Sequence, residues 1–400
     1  VKYPLPRLGV VADFIRGVSF KPDDVQPLGT ESTIACFRTK NVQAEIDLSD
    51  VWAVPNTSVN RSEQILQEGD LLVSTANSWN LVGKCCWVPR LDWPATLGGF
   101  ISALRPKREK VSPRYLYHWF SWEQVQSELR GCARQTTNIS NLDLNQALDL
   151  RIPLPPLEEQ RRIAAILDKA DALRQKRSRA LQKLDSLTHS IFLDMFGDPA
   201  TNPKRWPIES LGESLNFVTS GGRGWAEFYS DSGSRFLRSL DVRMNHISGS
   251  NPAFVNPPDN AEARRTRVED GDVLLTITGS RIGRVSSVPV DLEGAYISQH
   301  VAILRLDQKR MNPRFVSFFL SLETGGQRQI ANAQYGQTKP GLNFDQIRRF
   351  QIVAPPIKAQ EQFVRHIMDF EDLRESVCDS GVKTDALFAS LQHRAFRGEL

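Results

Sequence analysis

RIPLPPLEEQRRIAAILDKADALRQKRSRALQKLDSLTHSIFLDMFGDP, from Arg151 to Pro199, is the stretch whose reading decides the fold. Ile163, Ile166, Ala170, Leu173, Arg177, Ala180, Leu184, Leu187 and Ile191 follow alternating steps of three and four, which draws one apolar seam along a helix. Glu158 and Glu159 fall in its first turn, where carboxylates suit the positive end of the helix dipole, and Gly197 with Pro199 stops it. Roughly 35 residues at about 1.5 Å each make a rod of about 50 Å. Such a seam needs a partner helix.

The partner is found by laying the chain over itself at a shift of about two hundred residues. Tyr3-Pro4 through Leu8-Gly9 matches Trp206-Pro207 through Leu211-Gly212, and EGDLLVST (Glu68 to Thr75) matches DGDVLLTIT (Asp270 to Thr278). Both strands continue into Val82 to Lys84 or Ile282 to Arg284. FISALRPKREKVSPRYLYHWF (Phe100 to Phe120) then matches HVAILRLDQKRMNPRFVSFFL (His300 to Leu320), each reading strand, basic turn, helix. Ser112-Pro113 and Asn312-Pro313 are helix starts, because Ser or Asn caps free backbone donors and proline gives up a hydrogen that has no partner there. Each half closes with a proline pair, Pro155-Pro156 or Pro355-Pro356, and a long helical stretch.

The second stretch carries Phe363, His366, Phe370, Leu373, Val377, Ser380, Thr384, Leu387 and Leu391 on its seam. Gly381, Ser380 and Thr384 predict a bent or loosely paired middle. The duplication predicts an α+β protein of two mixed globular domains in pseudo-twofold arrangement, separated by two long antiparallel coiled-coil helices. The expected segments are 1–152 and 200–352 for the domains, 153–199 and 353–400 for the helices.

Length and composition set the outer limits. A chain of 400 residues, 40% hydrophobic and 24% charged, is long enough for two or three ordinary domains with real cores. A net charge of +4 is consistent with an anionic partner but does not identify one. Five cysteines, Cys36, Cys85, Cys86, Cys132 and Cys378, lack the spacing of a zinc site or a secreted disulfide framework, and the amino end shows no leader pattern. The expectation is a cytoplasmic protein that does not cross a membrane.

The stretch IPLPPLEEQRRIAAILDKADALR, the strand pair GDVLLTITGSRIGRV, the run GQTKPGLNFDQI (Gly336 to Ile347) and the two-copy layout together resemble the DNA-specificity subunit of Type I restriction-modification systems. The second copy departs from the pattern at Ile357-Lys358-Ala359-Gln360, where the first has Leu157-Glu158-Glu159-Gln160. The resemblance implies two target-recognition domains, each reading one half of a split double-stranded DNA sequence, held apart by the helices. It also implies that two methyltransferase subunits and the restriction/translocase subunits supply the chemistry. S-adenosylmethionine, ATP and magnesium would bind those partners, and this chain would need no cofactor. Because the two globular halves differ between their landmarks, the expected target is bipartite and asymmetric. A rod of about 50 Å corresponds to roughly fifteen base pairs at about 3.4 Å each.

Reading base edges needs amide, guanidinium and hydroxyl groups on turns, whereas Lys and Arg mostly anchor phosphates. In the first half these criteria select Thr75, Asn77, Ser78, Trp79 and Asn80, then Arg134, Gln135, Thr136, Thr137 and Asn138, with Lys84 as a phosphate contact. In the second half they select Thr278, Ser280, Arg281 and Arg284, then Gln334, Tyr335, Gln337, Thr338 and Lys339. Arg264, Arg265 and Arg267 form a further cationic cluster. Arg174, Lys176, Arg177, Arg179 and Lys183 would either track the DNA backbone or simply be solvated.

Alternatives are a stand-alone DNA methyltransferase or nuclease, or a structural adaptor without sequence preference. Asn256-Pro257-Pro258-Asp259 resembles the Asn-Pro-Pro-aromatic motif of adenine methyltransferases, yet the aromatic that would stack on a flipped base is missing. Pro258-Asp259 with Asp307-Gln308-Lys309 satisfies only a loose nuclease pattern, and Gly221, Gly222 and Gly224 lack the lysine of a phosphate-binding loop. The sequence therefore predicts no catalytic residue and no metal site.

Overall fold

The computed structural model describes residues 3–135, 139–249, 251–334 and 341–400, with the backbone alone at 372, 375, 379 and 382. It divides into two compact units, Val1–Arg179 with Cys378–Leu400, and Ala180–Val377. Two long helices, Leu157–Phe196 and Ile357–Arg397, each contribute one half to either unit.

In the first unit the strands β1 (Ala12–Arg16), β2 (Thr33–Phe37), β3 (Trp52–Pro55), β4 (Leu71–Ser74), β5 (Cys85–Trp87), β6 (Ala95–Leu97) and β7 (Ile101–Pro106) form two sheets. One has the order β1-β7-β4-β5, all antiparallel; the other has the order β3-β2-β6, with β2 and β6 parallel. Helices α1 (Pro113–Phe120) and α2 (Glu123–Gly131) follow, and then the first long helix, α3.

The second unit repeats this plan. β8 (Leu215–Ser220), β11 (Val273–Thr276), β12 (Val285–Ser287) and β14 (Val301–Leu306) form a sheet in the order β8-β14-β11-β12. β9 (Ser234–Leu237), β10 (Ala253–Val255) and β13 (Tyr296–Ile297) belong to the other, where β9 and β13 are again parallel. Helix α4 (Pro313–Ser321) stands where α1 does, and α5 is the second long helix.

The opening of each half is tied to its close. Leu8 N donates to Leu150 O at 2.8 Å, and Leu211 N donates to Phe350 O at 2.7 Å. The GD dipeptide that opens β4 and β11 has a purpose in the fold: glycine supplies a positive φ, +94° at Gly69 and +76° at Gly271, and the aspartate after it is buried. Asp70 accepts two hydrogen bonds from Arg105 at 2.8 and 2.6 Å, and Asp272 accepts two from Arg305 at 2.8 and 2.9 Å. Each aspartate also takes a backbone N–H, from Gln67 or Glu269. A bidentate guanidinium and an amide thus offset the cost of burying the carboxylate.

A buried glutamine docks each long helix. Gln160 Nε2 donates to Pro155 O and Lys110 O at 2.8 and 3.2 Å, and its Oε1 accepts from Ser112 N at 2.8 Å. Gln360 does the same with Pro355 O, Arg310 O and Asn312 N at 2.8, 3.1 and 2.8 Å. The departure at 357–359 therefore leaves docking unchanged, because the conserved contact is made by the glutamine alone. Both prolines start their helices as expected, although only Asn312 caps with its side chain.

The two long helices contact each other and run antiparallel, as each unit shows independently. In the first unit Ile163 and Leu167 near the start of α3 share a core with Phe388 and Phe396 near the end of α5, on Tyr115 and Leu116 of α1. In the second, Phe192 and Phe196 at the end of α3 cluster with Phe363 of α5 and Phe315 and Phe318 of α4, with ring centroids 5.0 to 5.8 Å apart for Phe192 against Phe196, Phe315, Phe318 and Phe363. At 40 and 41 residues the helices exceed the expected run, giving about 60 Å each.

The seam itself needs correction. Leu173, Leu187, Leu373 and Leu387 are 44 to 58% exposed and His366 is exposed, while Ala164, Leu167, Ile367 and Phe388 are buried instead. A straight helix at 3.6 residues per turn drifts away from a strict 3.5 repeat, and docking on α1 and α4 selects a different face. Nor is Gly381 a weak point. It is buried against the Arg177 guanidinium, which fills the space a side chain would take.

Candidate nucleic-acid interface

In the first unit the selected residues lie around a hairpin end. Ser74 N donates to Lys84 O at 2.8 Å and Gly83 N to Ser74 O at 2.8 Å, which closes the turn carrying Thr75, Asn77, Ser78, Trp79 and Asn80. Ser78, Trp79 and Asn80 are exposed. The short strand Ala76–Asn77 pairs with Ser140–Leu142, which pairs with Ala133–Gln135, bringing Asn77 opposite Ser140 and Arg134 opposite Asn141. Two selected segments far apart in sequence are thereby joined in one three-stranded sheet. Arg134 is exposed beside Asp143 at 3.2 Å. Asn77 donates to Ser74 Oγ at 3.1 Å, so part of its capacity serves the turn. Lys84 donates to Gln43 Oε1 at 2.7 Å. Thr136, Thr137 and Asn138 lie outside the described residues.

The second unit builds the same place differently. Thr276 N donates to Arg284 O at 2.8 Å and Gly283 N to Thr276 O at 2.9 Å, so the turn from Thr276 to Arg284 is two residues shorter than that from Ser74 to Lys84. Ser280 and Arg281 are exposed, and Thr278 and Arg284 are half-buried. Thr278 bridges Gly341, and its Oγ1 lies 2.6 Å from His300 Nδ1. Gln334 is half-buried at the end of the helix Arg328–Ala333, whereas Tyr335, Gln337, Thr338 and Lys339 lie outside the described residues.

Sequence reasoning missed a third loop in each unit. Phe100 O accepts from Thr75 N and Ala76 N at 3.0 and 3.1 Å, and His300 O accepts from Ile277 N at 2.9 Å. Phe100 is 67% exposed, and Gln299 and His300 are exposed beside the hairpin. The signal was present, since the repeat aligns Phe100 with His300 at the head of an otherwise apolar strand.

Other cations are engaged within the fold. Arg174 and Arg177 pair with Asp385, Arg179 with Glu45, and Arg264 with Asp259. Arg265 donates to Thr219 and Ser220. Lys176 and Lys183 remain exposed. Asp307 accepts from Lys309 N at 3.1 Å within its turn. Among the described residues no three His, Cys, Asp or Glu gather as metal ligands, and no helix is long and apolar enough to cross a membrane. Burial pushes the thiols of Cys36 and Cys86 up to about 12, which makes them poor nucleophiles.

Comparison with known proteins gives a concordant result. The family model described as "Type I restriction modification DNA specificity domain" matches residues 37–183 and 259–376, more than half of the chain. The chain is 24% identical to the StySPI specificity subunit of Salmonella potsdam and 23% identical to the EcoKI specificity subunit of Escherichia coli K12. Each comparison covers 98% of this chain and 88% of the relative. The fold is similar to the crystal structure of the Type I S subunit from M. genitalium, with a TM-score of 0.58 at 13% identity over 99% of this chain and 96% of that one.

Proposed function

Because the chain belongs to the Type I restriction-modification DNA specificity family, as a non-catalytic subunit of the enzyme, we propose that it reads an asymmetric bipartite duplex target and directs partner methyltransferase and restriction subunits to it. One observation carries the reading. The same hairpin end is present in both units, closed by the same backbone hydrogen bonds, yet the turns differ in length and chemistry. Trp79, Asn80 and Phe100 occupy in one unit the region that Ser280 and His300 occupy in the other. A shared frame with unlike polar and aromatic groups at its tip is what reading two different half-sites requires.

The segments 1–152 and 200–352 act in this proposal as the readers, and 153–199 and 353–400 as the helices that set the gap between half-sites. Two methyltransferase subunits, which bind S-adenosylmethionine, and ATP- and magnesium-dependent restriction subunits complete the assembly. Free cysteines throughout support a cytoplasmic location. The test is to map methylated positions in DNA from cells carrying this chain with its cognate methyltransferase subunit. Exchanging the residues before Arg151 for those of a relative changes one half of the motif only; a change in both halves contradicts the proposal.

A further inference from the structure

The loop that follows β2 in the first unit and β9 in the second has no place in the readout described above. In the first unit Asn41 orders it, and Gln43 leaves it to accept a hydrogen bond from Lys84 at 2.7 Å. In the second unit Asp241 orders it by accepting from Arg238 N at 2.8 Å, and the loop leans on the hairpin through Asn245 N to Val285 O at 2.8 Å. Here Arg243 stands where the first unit has Gln43, and Arg284 where it has Lys84. A neutral amide holding one ammonium has been replaced by two guanidiniums, with Arg281 beside them on the same turn.

These three cations have no acidic partner among the described residues, and Arg284 Nη1 is buried without a hydrogen-bond acceptor. Burial, then Arg243 and Arg281, push the Arg284 guanidinium below its ordinary value, as expected of like charges held together without a counter-ion. Nearby, His246 is held below the usual histidine range by burial, with Arg374 and Arg243 adding to the effect, and the carboxylate of Asp185 already faces Arg374 at 3.5 Å. A protein that keeps three guanidiniums together and unneutralised has a site for an anion that arrives from outside.

We propose that Arg243, Arg281 and Arg284 form a phosphate clamp on the DNA backbone, built from two loops and peculiar to the second unit. The clamp rests on the DNA-reading function above and deepens it: non-specific electrostatic affinity is carried unequally by the two units, with Arg243 positioning the duplex without reading it. The test uses the complex of the full chain with its methyltransferase subunits, a duplex carrying the methylation-mapped target and a scrambled duplex. Binding constants are measured over a salt series. Loss of one phosphate contact lowers the slope of log K against log salt by about 0.9. Arg243→Gln lowers it by that amount and weakens both duplexes by the same factor, Arg243→Lys restores it, and Gln43→Ala leaves it unchanged. An unchanged slope in Arg243→Gln, or a loss confined to the target duplex, overturns the clamp. If the wild-type complex does not prefer its mapped duplex at all, the DNA-reading function itself fails, and the clamp with it.

Discussion

Arg174 Nε lies 2.8 Å from Asp385 Oδ1, and Arg177 Nη2 reaches the other oxygen of the same carboxylate at 3.0 Å. In the first unit the two long helices are thus joined by one aspartate gripping two guanidiniums, close to where Gly381 makes room for Arg177. Asp385 is 46% exposed, so water and salt screen the pair. Asp385→Ala is expected to destabilise the chain by about 1 kcal/mol in denaturant titration, and by less in 1 M salt.

The same aspartate gives a pH signature. Burial raises its pKa, but hydrogen bonds from Arg174 and Arg177 outweigh that and hold it below the usual carboxylate range. With the folded pKa depressed, the stabilisation is complete above the unfolded carboxyl value of about 3.9 and is lost as pH falls through the folded one. Wild type is therefore expected to lose stability more steeply than Asp385→Asn below about pH 4 in acid denaturation.

Gln160 and Gln360 each satisfy three backbone groups at the root of a long helix. Gln160→Ala or Gln360→Ala leaves these groups unpaired, at an expected cost of about 2–3 kcal/mol each. Equilibrium unfolding of both variants checks this, and a loss below about 1 kcal/mol at either site would mean that water replaces the amide.

The aspartates of the GD turns are more sensitive. Asp272 is fully buried against Arg305, and Asp70 is 1% exposed against Arg105. Asp272→Ala leaves a guanidinium without its bidentate partner and is expected to cost about 3–5 kcal/mol, read as a lowered unfolding midpoint. Asp70→Ala is expected to behave alike.

At the tips the expectation reverses. Phe100 is 67% exposed and Trp79 is 40% exposed, so Phe100→Ala or Trp79→Ala is expected to change stability by less than about 0.5 kcal/mol. Either substitution is expected to weaken binding to the mapped target more than to a scrambled duplex in a competition assay. Equal weakening of both would remove these residues from sequence reading.

Much of this was legible in the chain. The GD strands, the Ser-Pro and Asn-Pro helix starts and the long helices stand out, because each rests on a local rule that sequence spacing expresses directly. The small sheets of β2, β3 and β6, or β9, β10 and β13, were not foreseen, since strands of two to five residues carry too few alternations to show a period. The loops bearing Gln43 and Arg243 were missed for another reason: Asn41 and Asp241 bond locally to the backbone N–H three residues before them, but the placement of the loops beside the hairpins rests on the long-range contacts of Gln43 with Lys84 and of Asn245 with Val285. Among the tips, Asn77 and Arg134 were selected from chemistry alone, and only the pairing of Ala76–Asn77 and of Ala133–Gln135 with Ser140–Leu142 puts their strands in one sheet.

The turn between Ser74 and Lys84 and its shorter counterpart between Thr276 and Arg284 are each closed at the base by a pair of main-chain hydrogen bonds. Side-chain changes at the exposed tips, Ser78 to Asn80 and Ser280 to Arg281, therefore leave the packed interior in place, whereas Val82 and Ile277 within the same turns belong to it, so only the tip behaves as an interchangeable bit in a fixed chuck. Under the proposed reading, a few altered codons at one tip change one half of the recognised sequence while the frame that presents it stays the same.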